Sequence, residues 1–558
     1  MATKSQLILI LLAILSCTGK QNQQFESELK SINLRQGDIA LCGSLDGKFG
    51  TVEFNVSCLE KVRDNFNLAT ALLHSFEYDE AEKAFAKVIA EDPQCVMAYW
   101  GVAMSNFHTL WAMNGRLDLE KGYKTIALAR SLDKKSVRES DYLEAIGVFY
   151  DDWEKLDHKT RSLKFERAME NIYKKYPADK EAAIFYALAL RATADPTDKS
   201  FSNQKKAGKI LNSMYPNEPN HPGIAHYIIH NYDYPELAQQ ALPAARAYAA
   251  IAPASAHAQH MPSHIFTRLG LWIESIKANL TSISAAQCYA ANVGMKGHWD
   301  EELHGMDYLT YAYLQKGEDN KAKEQLDLLK SFGDAAETGK GAYVFASVPA
   351  RYVLERKQWD EAAQLEVFPT DFPWEKFPWE NAITHFAKLL GYAHANKISE
   401  ANKELEQLKS LHKKLTDAKE TYKANQVQIQ INASDGWIQF AQGRKKEALQ
   451  LMVLAADLED ATAKDPITPG EVVPARELFG DLLMEMGETA KALEAYQADL
   501  KKLPNRFNGL YGAGSAEKKL KNKKGATAYF RQLLAIANKD DCKRPELIAA
   551  AAFVKENK

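Results

Sequence analysis

Histidine is where chemistry concentrates in this sequence: eight of its 14 copies lie between residues 221 and 304, namely His221, His226, His230, His257, His260, His264, His298 and His304. Neutral imidazole is the commonest protein ligand for zinc, copper, iron and nickel, so such a cluster raises metal binding first. Spacing sharpens this. His226 and His230 are four residues apart, as are His260 and His264, which puts each pair on one face of a helix. A constant 34 residues separates His226 from His260 and His230 from His264, the mark of equivalent places in adjacent repeats. Packed helices lie about 8–10 Å apart, so imidazoles from two of them can reach one divalent transition metal, with zinc the first expectation. His226 to His230 has the outer spacing of the zincin motif but Tyr227 where its general-base Glu would stand. His221 and His298 fall in loops and are weaker candidates, as are His385 and His394. Polar core packing and a metal-free groove for an acidic peptide stay open beside the metal.

The elements that must position these side chains are helices. From about residue 60 onward Ala, Leu, Lys and Glu dominate, turns are marked by Gly, Asn or Pro, and strand patterns are nearly absent. A small residue, a large or aromatic one four later and a closing proline recur, as in the 34-residue tetratricopeptide signature. Ala81, Phe85 and Pro93 form one copy, Ala241, Ala245 and Pro253 a second, and Ala492, Tyr496 and Pro504 a third. Gly317–Ala322, Trp359–Ala362, Gly443–Ala448 and Ala526–Phe530 mark degenerate copies. The predicted fold is all-α, a superhelical solenoid of stacked helical hairpins whose first helices line a concave groove. Predicted boundaries are an N-terminal array over 61–365 holding the His-rich groove, a Pro- and aromatic-rich loop over 366–381 that cannot be helical, and a C-terminal array over 382–558.

By resemblance to tetratricopeptide repeats, the second, fifth, ninth and twelfth to thirteenth positions of each copy face the groove. Phased on the markers above, His226 and His230 fall on the fifth and ninth positions of their copy, and His257, His260 and His264 on the second, fifth and ninth of the next. His304 and Asp307 take the second and fifth of the copy after that, which adds them to His226, His230, His260 and His264 as expected metal ligands. The same phase names Asp233, Tyr234, Arg268, Tyr311 and Arg351, with His257, as ligand-groove residues. Arg268 and Arg351 suit a carboxylate or phosphate, or equally a partner such as Asp233 or Glu355 within the scaffold. More specifically, the chain resembles a family of large bacterial tetratricopeptide-repeat proteins. The likeness is carried by Met97-Ala98-Tyr99-Trp100-Gly101, by His221-Pro222-Gly223 with His226 and His230, and by His260-Met261-Pro262-Ser263-His264-Ile265. It extends to Pro474-Ala475-Arg476-Glu477 and Asn505-Arg506-Phe507. In that family a second histidine often stands where this chain has Asp307. The resemblance implies the repeat fold and the histidine site, and no particular reaction.

The N-terminus reads as an export device: Lys4, an apolar run from Leu7 to Leu15, then Ser16-Cys17. Ile14-Leu15-Ser16-Cys17 resembles the bacterial lipobox, which implies a signal peptide over 1–16, lipidation of Cys17, and a tether with a small irregular segment over 17–60. The expected location is the cell envelope, with the lipid as the only membrane contact, since no stretch approaches the roughly 20 apolar residues a spanning helix needs. An exported chain can form disulfides, and Cys42 with Cys58, which bracket a Gly-rich stretch, are the expected pair; Cys95, Cys288 and Cys542 look isolated. At 558 residues, 46% hydrophobic and 26% charged, the chain can bury a large core, and a formal charge of −3 gives no global footprint for nucleic acid. Two function classes follow. One is a metal-binding enzyme, most naturally hydrolytic, with Glu301, Glu302 and Asp233 as the acid–base candidates. The other is a non-catalytic scaffold holding a peptide, protein or small-molecule ligand in the groove.

Overall fold

The computed structural model describes residues 23–40, 42, 49–110, 114–463, 467–538 and 542–557. The lipobox and Cys17 lie outside the described residues. The fold is all-α, a tetratricopeptide-type stack of helical hairpins, and among the described residues the only β feature is an isolated bridge between His298 and Ala335.

The hairpins form because each second helix carries an apolar stripe and each turn closes in one geometry. In the turns, the C-terminal end of the first helix is followed by a residue in the left-handed region, and the next N–H returns to the carbonyl five residues back, the Schellman pattern. Examples are Leu271 N–H to Phe266 O (2.8 Å), Gln358 N–H to Val353 O (2.9 Å) and Glu488 N–H to Leu483 O (2.9 Å). Glycine suits the left-handed position, and Gly270, Gly317, Gly443 and Gly487 occupy it with φ between 64° and 83°. Aromatic repeat markers pack where glycine on a neighbouring helix leaves room: a Cβ on Gly480 or Gly512 would overlap the Tyr496 ring, and one on Gly101 would overlap Phe85. The marker helices predicted from Ala81–Phe85, Ala492–Tyr496 and Ala526–Phe530 are present as Tyr78–Glu91, Thr489–Lys502 and Lys523–Ile536.

The chain divides into two compact units. The first holds the described residues up to Asn231 together with Ala250–His257; the second holds Tyr232–Ala249 and Ala258 onward. The division therefore falls within the histidine-rich stretch, and residues 366–381 lie inside the second unit. In the first unit the irregular segment before Glu60 buries Phe49, Val52 and Phe54, and Thr51 N–H reaches Asn220 O at 3.0 Å. Cys58 is bridged to Cys95, not to Cys42. The sequence pairing of Cys42 with Cys58 is thus corrected: proximity along the chain is outweighed by the helical hairpin that brings Cys95, just before helix Val96–Phe107, to Cys58. Cys42 is itself disulfide-bonded, and Cys542 is free and buried.

In the second unit the expected Pro-rich loop ends earlier than the sequence implies. Pro378 opens helix Pro378–His394, because proline lacks only an N–H that a first-turn position leaves unpaired anyway. Upstream, Phe368, Phe372 and Phe377 pack against the core, which makes the segment a covering on the array.

Candidate metal centres

Helix Pro222–Tyr232 of the first unit presents His226 and His230 one turn apart, and His257 comes from the short helix Ala256–His260. Their ligand atoms lie within 4.8 Å of one another, with His226 Nε2 3.1 Å from His257 Nε2. His226 and His230 are buried and His257 is half-buried. His226 Nδ1 lies 2.7 Å from the backbone carbonyl of His74. A carbonyl only accepts, so His226 carries its proton on Nδ1 and turns the Nε2 lone pair toward His257.

The second unit repeats this arrangement. His260 lies at the end of Ala256–His260, His264 on Pro262–Arg268 and His304 on Asp300–Gln315. Pro262 interrupts the helix between the first two without displacing them from a common face: His260 Nε2 and His264 Nε2 are 3.0 Å apart, and His304 completes a fully buried group within 4.8 Å. Outside the group two of the rings are held by acceptors. His260 Nδ1 lies 2.8 Å from Asn279 Oδ1, whose amide Nδ2 donates to Ser275 O, and His264 Nδ1 lies 2.9 Å from Asp233 Oδ2. Both rings therefore carry an N–H on Nδ1, and when neutral they turn their Nε2 lone pairs toward each other. Asp233 also accepts from Arg268 Nε at 3.0 Å. Burial would raise the Asp233 carboxyl, but Arg268 and His264 outweigh it and hold it down at about 2.

This arrangement could hold a transition metal: the Nε2 atoms of His226 and His257, and of His260 and His264, converge, and the Nδ1 atoms of His264, His260 and His226 are anchored to a carboxylate, an amide and a carbonyl. Two nitrogens about 2.1 Å from one ion would lie about 3.0 Å apart at a right angle and about 3.4 Å apart at a tetrahedral one, so the pairs at 3.1 and 3.0 Å are near the spacing of two ligands of one ion and would open slightly around tetrahedral zinc. The residues present fit zinc, copper or nickel better than calcium or magnesium, which take oxygen ligands.

The expected ligands are thus gathered as His226, His230 and His257 in one unit and as His260, His264 and His304 in the other. His257, read from the sequence as a groove neighbour, is a full member of its group. Asp307 stands in neither: its Oδ1 accepts from Ser347 Oγ (2.9 Å) and faces Arg351 Nε (3.3 Å). The remaining groove residues mostly hold the scaffold. Arg351, fully buried, donates to the carbonyls of Gly470 and Glu471; Arg268 pairs with Asp233; Tyr311 accepts from the buried Arg506, itself paired with Glu355 and Glu477. Tyr234 is half-buried. Glu301 pairs with Lys340, and Glu302 with His298 and Gln287.

One cluster escaped the sequence. His74 Nε2 (2.9 Å) and His221 Nε2 (3.0 Å) donate to the two oxygens of the buried Glu181, and Tyr227 OH meets His74 Nδ1 at 2.9 Å. Burial would raise Glu181, yet the two imidazoles hold it well below the carboxylate range. No spacing rule links residues so far apart in the chain; only tertiary packing does.

No protein-family model matches the sequence, and neither does any curated protein. Among solved structures the chain is similar to human IFIT1 in a dimer with m7Gppp-AAAA, at 13% identity, 79% of this chain, 90% of that one and a TM-score of 0.35. It is also similar to yeast Tom70, at 12% identity, 89% and 96% coverage and a TM-score of 0.33. The APC/C hetero-tetramer Cut9–Hcn1 gives 12% identity, 89% and 96% coverage and a TM-score of 0.26.

Proposed function

We propose that this protein is an exported, lipid-anchored repeat scaffold that binds a divalent transition metal, zinc first, at its three-histidine groups, and that the metal serves hydrolysis of a bound ligand. The observation that carries metal binding is the facing pair of Nε2 atoms on His260 and His264, 3.0 Å apart, with both rings anchored through Nδ1. In the neutral rings both Nε2 lone pairs face the gap, where one cation would be ligated by both. Support for catalysis comes from ligand number: structural zinc sites use four protein ligands, whereas catalytic ones use three and keep a position open, and each group here supplies three. Export and anchoring are supported by the Ser16-Cys17 sequence and its preceding apolar run.

The test is metal content. Purified mature protein, supplemented with zinc and desalted, is measured by plasma mass spectrometry beside His264→Ala and His230→Ala. Each substitution lowers the bound metal by about one equivalent. No metal in the parent, or equal content in all three, leaves a metal-free scaffold for a peptide or protein partner in its place.

A further inference from the structure

The hairpin turn at residues 75–77 departs from its counterparts in one residue. Phe76 has φ 59° and occupies the same left-handed position as Gly270, Gly317, Lys357, Asn396, Lys419, Gly443, Gly487 and Lys521. Its backbone closes the same way, Phe76 N–H to Leu73 O at 3.1 Å and Glu77 N–H to Leu72 O at 3.0 Å. The counterparts are glycine, which carries no penalty there, or flexible polar residues. A bulky aromatic side chain in the left-handed region is strained and persists where its surroundings over-determine it.

Those surroundings are the first unit's histidines. The Phe76 ring lies 4.4 Å from that of His226, and it stacks on His230 at 5.5 Å and on His257 at 5.7 Å, both at 27°. The residues on either side grip the same group: His74 O takes the Nδ1–H of His226, and Glu77 Oε1 accepts from Ser255 Oγ at 2.5 Å, two residues before His257. We infer that the turn 74–77 is a clamp for the His226–His230–His257 group and that Phe76 is its positioning residue, the flat ring fixing the three imidazoles at the angles a metal requires. This rests on metal binding by that group.

The test uses the full mature chain with His264→Ala, so that the first unit's group is the one read, and cobalt(II) as the probe. Cobalt reports affinity by titration and ligand geometry by its visible absorption. Phe76→Gly and Phe76→Lys both place a residue that this fold already accepts at the position, so the hairpin forms, and circular dichroism checks it. Either substitution weakens cobalt binding at least tenfold and alters the visible bands, while Phe76→Tyr, which keeps the flat ring, stays within about threefold of the parent. Unchanged affinity and spectrum in Phe76→Gly and Phe76→Lys overturn the clamp while leaving the metal site in place. Absence of cobalt binding in the His264→Ala parent, with no further change on adding His230→Ala, overturns the metal site itself and the clamp with it.

Discussion

Replacing Asp233 by Asn separates the scaffold role of this carboxylate from its role behind His264, the proposed metal ligand. Asp233 Oδ2 holds His264 Nδ1 at 2.9 Å and Oδ1 holds Arg268 Nε at 3.0 Å, with side-chain exposures of 6%, 2% and 2%. Asn keeps the shape but loses the charge and leaves the Arg268 guanidinium buried without a counter-ion. Removing one partner of such a pair costs about 3–5 kcal/mol, visible as lower stability of metal-free protein in chelator. A second change, Arg268→Met, removes the stranded charge and recovers most of that loss. Metal affinity behaves differently. A carboxylate behind a ligating imidazole is worth about 10–100-fold in affinity, or roughly 1.4–2.8 kcal/mol, and Arg268→Met does not restore it. The assay is chemical denaturation of parent, single and double variants, each with chelator and with a fixed excess of free zinc. The zinc-dependent increment in stability shrinks in both variants, because ligand stabilisation follows the logarithm of affinity. An increment equal to the parent's in Asp233→Asn would exclude a role for this carboxylate behind His264, and so would an increment restored by Arg268→Met.

Three further outcomes are expected. Replacing both Cys58 and Cys95 by Ser lowers stability by roughly 2–4 kcal/mol, since their bridge closes a loop of sequence separation 37; non-reducing peptide mapping that recovers a Cys42–Cys58 peptide would contradict it. His394 is stacked 3.7 Å from the Trp359 ring and lies 4.2 Å from that of Trp437, and burial lowers its pKa to about 4. The unfolded imidazole titrates near 6.5, so the native state binds fewer protons between these values; its stability is complete above about pH 6.5 and falls as pH drops toward 4, by roughly 2 kcal/mol at pH 5. In chelated protein His394→Phe flattens that slope, and urea melts at pH 5 and pH 8 that differ as much in the variant as in the parent would remove the cause. Cys17→Ser leaves the precursor uncleaved by lipoprotein signal peptidase and the protein without its acyl chain; a variant still processed and lipid-modified would end the lipoprotein proposal.

Much of the architecture was legible because its determinants are local. Phe85 and Tyr496 sit at fixed distances from the turns that start their helices, and the glycines they cover, Gly101, Gly480 and Gly512, lie on neighbouring helices of the same period. The histidines were legible for the same reason: a four-residue step fixes a helix face, and a 34-residue step fixes the repeat position. What depends on which helices stack was not. The repeat phase placed Asp307 beside His304 but could not show that Arg351, on helix Gly339–Leu354, would claim it. Glu181 lies 107 residues from His74, and only tertiary packing joins them. Cys58 illustrates the opposite error, in which nearness in sequence to Cys42 suggested a partner that the hairpin geometry replaced with Cys95. Pro378 was read as a helix breaker when its position made it a helix start.

Whether a metal joins the convergent imidazoles is decided by anomalous diffraction from crystals of zinc-supplemented protein, recorded on both sides of the zinc absorption edge. An edge-dependent peak is expected about 2.0–2.1 Å from the Nε2 atoms of His260 and His264, with His304 in the same shell. A difference map with no peak there, and well-ordered imidazoles still 3.0 Å apart, would contradict it.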